Sequence, residues 1–192
     1  MIDIIDKIVS TYRRNKLYGS FGAIGSNCNI IAPDILSFPQ KIEIGSYTTI
    51  LDHARIQSYS YLTGIESKIY IGSHCYLGYY LSILAGADVI IHDGVLMASN
   101  ILISSESHGV NPEDDKYYMD QSLICKPVEI GEGCWIGEKA TILGGVKIGT
   151  KCVIGANSVV THDVPDYSIA VGSPARVVKK WNFEKHEWEK VD

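Results

Sequence analysis

The sequence predicts an all-β solenoid: a parallel β-helix that advances in six-residue steps, capped by a helix at each end, with one loop thrown out of the coil. Three observations predict it. Ile-Gly recurs at 24–25, 44–45, 71–72, 130–131, 136–137, 148–149 and 154–155. An aliphatic residue returns at every sixth position over Ile130, Ile136, Ile142, Ile148, Ile154 and Val160, and again over Ile71, Leu77, Ile83 and Val89. Four residues after these aliphatics the residue is mostly small or β-branched, as at Cys134, Ala140, Val146, Cys152, Ser158 and Val164. The step also holds over Ile24, Ile30, Leu36 and over Ile44, Ile50, Ile56, Leu62; after Val89 it slips by two to Ile91, Met97, Ile103. A period of six suits neither an amphipathic helix nor a simple alternating strand. It suits one short strand and one corner per hexapeptide, with three hexapeptides closing a coil of about 18 residues. Stacked coils bury a core that no single coil buries alone.

Composition narrows the class. A chain of 192 residues that is 46% hydrophobic and 20% charged is expected to fold as one domain rather than stay disordered. The net charge of −5 argues against a nucleic-acid binder driven by bulk electrostatics. The most apolar uncharged stretch, 75–87, is shorter than the roughly 20 residues of a bilayer span, so no membrane span is expected. Asp3 and Asp6 among the first isoleucines do not form the basic start of a secretory leader, and a cytoplasmic chain is expected. Five cysteines in no metal-binding spacing fit reduced thiols. Cys28, Cys75, Cys134 and Cys152 share the small-residue phase, which makes them packing residues rather than nucleophiles.

Three segments follow in order. Residues 1–20 read as a helical cap, with Ile2, Ile5, Val9 and Tyr12 on one face of a helix over 2–18; that face covers the end of the coil or touches a membrane surface. Residues 21–170 form the coil. It is interrupted after Ile103 by a polar loop, 104–127, that holds Pro112 and Pro127, and long loops on rigid scaffolds often carry function. His108 opens this loop, and a neutral imidazole near pH 7 is a suitable base for a hydroxyl proton. Glu106 or a loop carbonyl is the candidate to hold its tautomer. Residues 171–192 are a closing segment with a helix over 176–190. His74 and His92 lie 18 residues apart, but the slip after Val89 sets them on different phases, so no metal site is expected. His53, His162 and His186 read as corner or surface residues.

The run from Val128 to Thr161, with its Ile-Gly-Glu-Gly-Cys-Trp-Ile-Gly opening, resembles the hexapeptide-repeat acyltransferases. So does the closing Gly-Ser-Pro-Ala-Arg-Val-Val-Lys-Lys over 172–180. The chain is most similar to the sugar O-acetyltransferases, namely the maltose and galactoside enzymes and those of O-antigen and capsule. The tail Val-Lys-Lys-Trp-Asn-Phe-Glu-Lys-His-Glu-Trp-Glu-Lys over 178–190 resembles the lipopolysaccharide type. The resemblance spans about residues 40–190. It implies a left-handed β-helix, a homotrimer, and acetyl-CoA as donor, lying between subunits. It implies acetyl transfer to a sugar or polysaccharide-precursor hydroxyl in surface polysaccharide biosynthesis.

On residues, His108 matches the family's catalytic histidine, acting directly with no acyl-enzyme. Backbone at Gly137, Glu138, Ala156 and Thr161 matches the positions that hold the pantetheine arm. Arg176, Lys179 and Lys180 match positions that meet the CoA phosphates, their other reading being a solvated charged helix. Trp135 walls the acyl tunnel or packs between coils. The Asn and Asp of the galactoside and maltose enzymes fall near Gly78 and Gly86, which argues against those simple acceptors. Tyr79 and Tyr80 stack on a sugar ring or pack a trimer interface. Two alternatives stand beside this reading: transfer to an amino sugar or a serine-like alcohol, and a non-enzymatic or metal-binding β-helix.

Overall fold

The structure, a computed structural model, describes residues 11–191. Its strands gather into three sheets that the chain visits in turn. The first holds Ala23–Ile24, Ile42–Ile44, Ile69–Ile71, Val89–Ile91, Val128–Ile130 and Lys147–Ile148, all parallel. The second begins at Asn29–Ile30 and continues through Thr49–Ile50, Tyr76–Leu77, Leu96–Met97, Trp135–Ile136, Val153–Ile154 and Ser168–Gly172. The third runs from Ile35–Ser37 through Arg55–Ser58, Ser82–Ala85, Leu102–Ser104 and Thr141–Leu143 to Val159–Val160. Each strand pairs with the one a full circuit away: Val89 lies opposite Ile69 and Val128, Leu96 opposite Tyr76 and Trp135, and Leu102 opposite Ser82 and Thr141.

Most of the six-residue aliphatics point inward; Leu62 does not, because the step breaks there into a helical turn over Ser60–Thr63 that leaves it exposed. Ile71, Leu77, Ile83, Met97, Ile103, Ile130, Ile136, Ile142, Ile148 and Ile154 are fully buried in one continuous core. Each such side chain is worth about 1.5–3 kcal/mol relative to exposure. The slip after Val89 also has a simple cause. First-sheet strands of three residues turn both ends inward and the middle out, so Val89 and Ile91 are both buried and Ile90 is not. The small-residue phase packs under the corners, and its cysteines do more than fill space. Their thiols point at carbonyls one circuit on: Cys134 Sγ to Gly149 O at 2.9 Å, Cys75 Sγ to His92 O at 3.2 Å, and Cys152 Sγ to Pro165 O at 2.9 Å. A hydrogen bond donated to the neighbouring Cys152, together with burial, holds the Cys134 thiol well above its usual range, and burial raises Cys75. Both are held as thiols rather than reactive thiolates.

The two ends differ from expectation in different ways. At the start, residues 11–18 are helical, and Leu17 and Tyr18 pack on the core. The Tyr18 hydroxyl donates to Cys28 O at 2.8 Å and accepts from the Ile30 amide at 3.0 Å, tying the helix to the first coil. Ile2, Ile5 and Val9 of the anticipated apolar face lie outside the described residues, and Tyr12 is exposed. At the other end the anticipated helix over 176–190 is replaced by strands. Ala175–Asn182 runs antiparallel against Ser168–Gly172, and Glu187–Lys190 pairs back onto it. The open edge of the last second-sheet strand needs hydrogen-bond partners, which a helix lying beside it does not supply. β-branched Val177 and Val178 suit a strand, and Trp181 meets Trp188 edge-to-face at 5.3 Å across the pair. Asn182 Oδ1 accepts the amides of Glu184 and Lys185 and sets the turn.

Candidate active site

The polar interruption is a hairpin rather than a free loop. Ser104 still belongs to the third sheet, and Glu106–Ser107 pairs antiparallel with Ile124–Cys125. Its base is anchored by buried Ser105, whose hydroxyl donates to Ala87 O at 2.7 Å and accepts the Ala87 amide at 3.1 Å. Gly86 lets the stem sit down: a Cβ there would lie 2.6 Å from Glu106 Cβ and 2.7 Å from Cys125 Sγ. His108 is the first residue beyond the paired stem and is exposed. The stem that precedes it borders a groove of about 220 Å³ lined by Glu106, Ser107, Ile124, Lys126, Leu143 and Gly144; His108 itself is not among the lining residues. The Lys126 stem lies over Gly145, where a Cβ would come within 3.1 Å of its Cδ, and sequence reasoning missed this lysine. Among the described residues no hydrogen bond joins Glu106 to the His108 imidazole, so the structure does not give Glu106 the tautomer-holding role.

A second group lies along the corner where the chain passes from the second sheet to the third. Gly137 donates to Ile154 O at 2.8 Å, and Glu138 O accepts the Asn157 amide at 2.8 Å, so Gly137-Glu138 and Ala156-Asn157 occupy adjacent coils of this corner. Side chains tie the coils above them. The Tyr79 amide donates to Ser99 Oγ at 3.2 Å, and the Ser99 amide donates to Glu138 Oε2 at 2.8 Å. Glu138 Oε1 also accepts from Asn100 Nδ2 at 3.0 Å, so this carboxylate is turned up the corner. The next member would be residue 156, and alanine has no acceptor to offer. Among the described residues the Glu138 and Ala156 amides have no partner, which leaves backbone donors beside a small side chain. That arrangement fits a ligand held through main-chain contacts. Tyr79 and Tyr80 stand two coils earlier at the same corner; Tyr80 stacks on His53 at 4.7 Å, and His53 Nδ1 meets Asp34 at 3.1 Å.

The remaining residues are distributed elsewhere. Thr161 ends the third sheet on the hairpin side, with its Oγ1 2.8 Å from His162 Nδ1. His162, Asp163, Val164, Ala170, Ala175, Arg176 and Val177 enclose a recess of about 350 Å³ there. A bulge in the final long strand interrupts its alternation: Arg176 stands opposite Val171 and Lys179 opposite Ile169, on one face, and Lys180 stands opposite Ser168 on the other. Trp135 is 52% exposed, in register with outward-facing Leu96 and Tyr76 on the second sheet. It does not pack between coils. His74 and His92 do not stack: register sets Ile91 beside Ile71, hence His92 beside Gly72. His74 lies on Tyr47 at 4.9 Å, and His92 contacts Glu129 at 3.1 Å. The chain therefore brings His108, Thr161 and Arg176 toward one edge of the coil. Gly137, Glu138, Ala156, Tyr79 and Tyr80 lie at the other edge of the third sheet.

Known proteins share this architecture. The family description "Bacterial transferase hexapeptide (six repeats)" fits residues 127–162. The galactoside O-acetyltransferase of Escherichia coli is 35% identical over 145 residues, 75% of this chain and 70% of that one. A candidate lipopolysaccharide-biosynthesis O-acetyltransferase of the same organism is 33% identical over 172 residues, 86% of this chain and 85% of that one. A candidate acetyltransferase of Mycobacterium tuberculosis is 37% identical over 72% of this chain, which spans only 44% of that longer protein. Among solved structures, a maltose O-acetyltransferase from Clostridium difficile superposes with a TM-score of 0.60 at 28% identity, covering 88% of this chain and 74% of that one. AntD, an N-acyltransferase from Bacillus cereus in complex with dTDP and 3-hydroxybutyryl-CoA, reaches 0.70 at 20% identity, covering 90% of both, a likeness of fold alone.

Proposed function

Because this chain belongs to the bacterial hexapeptide-repeat transferases, we propose that it moves the acetyl group of acetyl-CoA onto a sugar hydroxyl, as a cytoplasmic step in building a surface polysaccharide such as lipopolysaccharide or capsule. The coil is left-handed in this reading, the hand that the resemblance implies. His108 withdraws the proton from the acceptor hydroxyl while that oxygen attacks the thioester carbonyl, and it returns the proton to the departing thiolate of CoA. A backbone amide carries the developing oxyanion. The observation that supports the reading is the placement of His108: an exposed residue one position past a pinned stem whose Glu106, Ser107 and Ile124 line a groove.

The Glu138 and Ala156 amides, Gly137 and Thr161 hold the pantetheine arm; Arg176, Lys179 and Lys180 serve its phosphate end. Trp135 borders the acyl channel, and Tyr79 and Tyr80 receive the acceptor ring. The residues divide between two edges of one protomer, which supports a homotrimer in which the corner of one copy faces the hairpin of the next. The exposed Tyr76, Leu96 and Trp135 column is the apolar surface for such an assembly.

The test is acetyl-CoA thioester cleavage against nucleotide sugars, free sugars and polysaccharide fragments. His108→Ala is expected to lower kcat at least about a hundredfold while acetyl-CoA protection in thermal melts persists. Unchanged turnover would remove His108 from the mechanism. Hydroxylamine distinguishes the acceptor atom, since an O-acetyl ester is cleaved and the amide of an amino sugar survives. Stoichiometric zinc without protection by acetyl-CoA would instead support the metal-binding scaffold.

A further inference from the structure

We propose that Gln121 is a positioning residue that holds His108 in place. This rests on His108 being the base. Between Glu106 and Pro127 only one side chain is buried, and it is a polar one: Gln121, 7% exposed. Its amide group is spent on the backbone of the opposite arm of the hairpin. Oε1 accepts the Asn111 amide at 3.0 Å, and Nε2 donates to Asn111 O at 2.8 Å and to Lys116 O at 3.3 Å. Gln121 therefore grips both polar groups of one residue's backbone, as a neighbouring strand would, and reaches on to a third.

The segment that carries His108 lies flat on this side chain. A Cβ at Gly109 would sit 2.8 Å from Gln121 Oε1 and 2.9 Å from its Cβ, so only glycine fits there. The backbone that carries the imidazole is thus held at both ends of a five-residue span, with Ser107 paired to Ile124 on one side and Asn111 gripped by Gln121 on the other. The tip has no apolar core to hold it. Leucine at 121 would strand the Asn111 amide and the Lys116 carbonyl, and leave the Asn111 carbonyl only its 3.4 Å contact from the Asp114 amide. The consequence for reactivity follows because small displacements of a reacting group cost large factors in rate.

Two variants of the full chain test this. In Gln121→Leu, hydrogen exchange at residues 109–111 is expected to accelerate about tenfold. Its kcat should fall by about ten- to a hundredfold, with KM for acetyl-CoA within about twofold of native. In Gln121→Glu, the ionised carboxylate keeps the acceptor and faces two carbonyls; protonation restores the donor. Its activity relative to native should therefore rise as pH falls, whereas the ratio for Gln121→Leu stays flat. Faster exchange with unchanged kcat, or unchanged exchange, overturns the inference and leaves the proposed activity standing. A native enzyme that cleaves no acetyl-CoA, or a fully active His108→Ala, overturns the activity instead. The His108 imidazole NMR resonance then decides: a shifted or broadened signal in Gln121→Leu supports positioning, and an unchanged one ends it.

Discussion

The coil and the hairpin solve the same problem by opposite means. In the coil, each strand is placed by neighbours on both sides and by aliphatics that repeat the same contact many times: Ile142 is fully buried, in register with Ile103 above and Val160 below. No single side chain determines where another sits. In the hairpin, two register pairs, the Ser105 anchor at the base and one buried glutamine place the segment. The contrast teaches that stability and reaction geometry are stored separately. Redundant contacts make the coil costly to unfold but indifferent to detail, while sparse contacts make the hairpin cheap to disturb and its histidine sensitive to each one.

The sharpest way to break this comparison is through the core. Ile142→Ala is expected to destabilise the chain by about 2–5 kcal/mol, read as a lowered denaturation midpoint, with KM for acetyl-CoA unchanged in the folded fraction. A loss of activity at unaltered stability would show that the two are not separable. At the corner, Ala156→Ser supplies the missing acceptor for the Glu138 amide, as Ser99 does for Tyr79. KM for acetyl-CoA should rise about two- to tenfold with kcat retained, and an unchanged KM would take Ala156 out of the binding surface. The smallest effect is electrostatic. Hydrogen bonds from Lys147 and then His92 hold the Glu129 carboxyl below its ordinary value. A carboxylate with a depressed folded-state pKa stabilises above its unfolded pKa and loses that contribution as pH falls through the folded one. Being half-exposed, the pair is worth at most about 0.5 kcal/mol, and the stability gap between native and Glu129→Gln should close in acid. A gap that widens there would reverse the assigned sign.

Most of the coil was legible because its residues repeat a local demand. Ile71, Leu77 and Ile83 announce the core by spacing alone, and the shift from Val89 to Ile91 is explained by one more residue in a strand. His108 was legible as a histidine near the start of the break in that spacing at 104–127. Gln121 was not, since nothing near it in sequence reveals that it is buried or that its partners lie ten and five residues back. The tail misled for a related reason: its mixed charges and aromatics suit an amphipathic helix, and only the open edge at Ile169 and Ala170 makes strand the better choice.

The sequence by itself determined the six-residue period, the identity of the inward side chains, the hexapeptide kinship and the location of the interruption, because each of these is written within one turn of the coil. Tertiary structure alone decided that the tail pairs as strands, that the interruption is a clamped hairpin, that the corner ladder ends at Ala156, and that the candidate residues fall on two separate edges. Those outcomes depend on which backbone groups are left without partners once the coils have stacked, and that is a property of the assembled chain rather than of any segment.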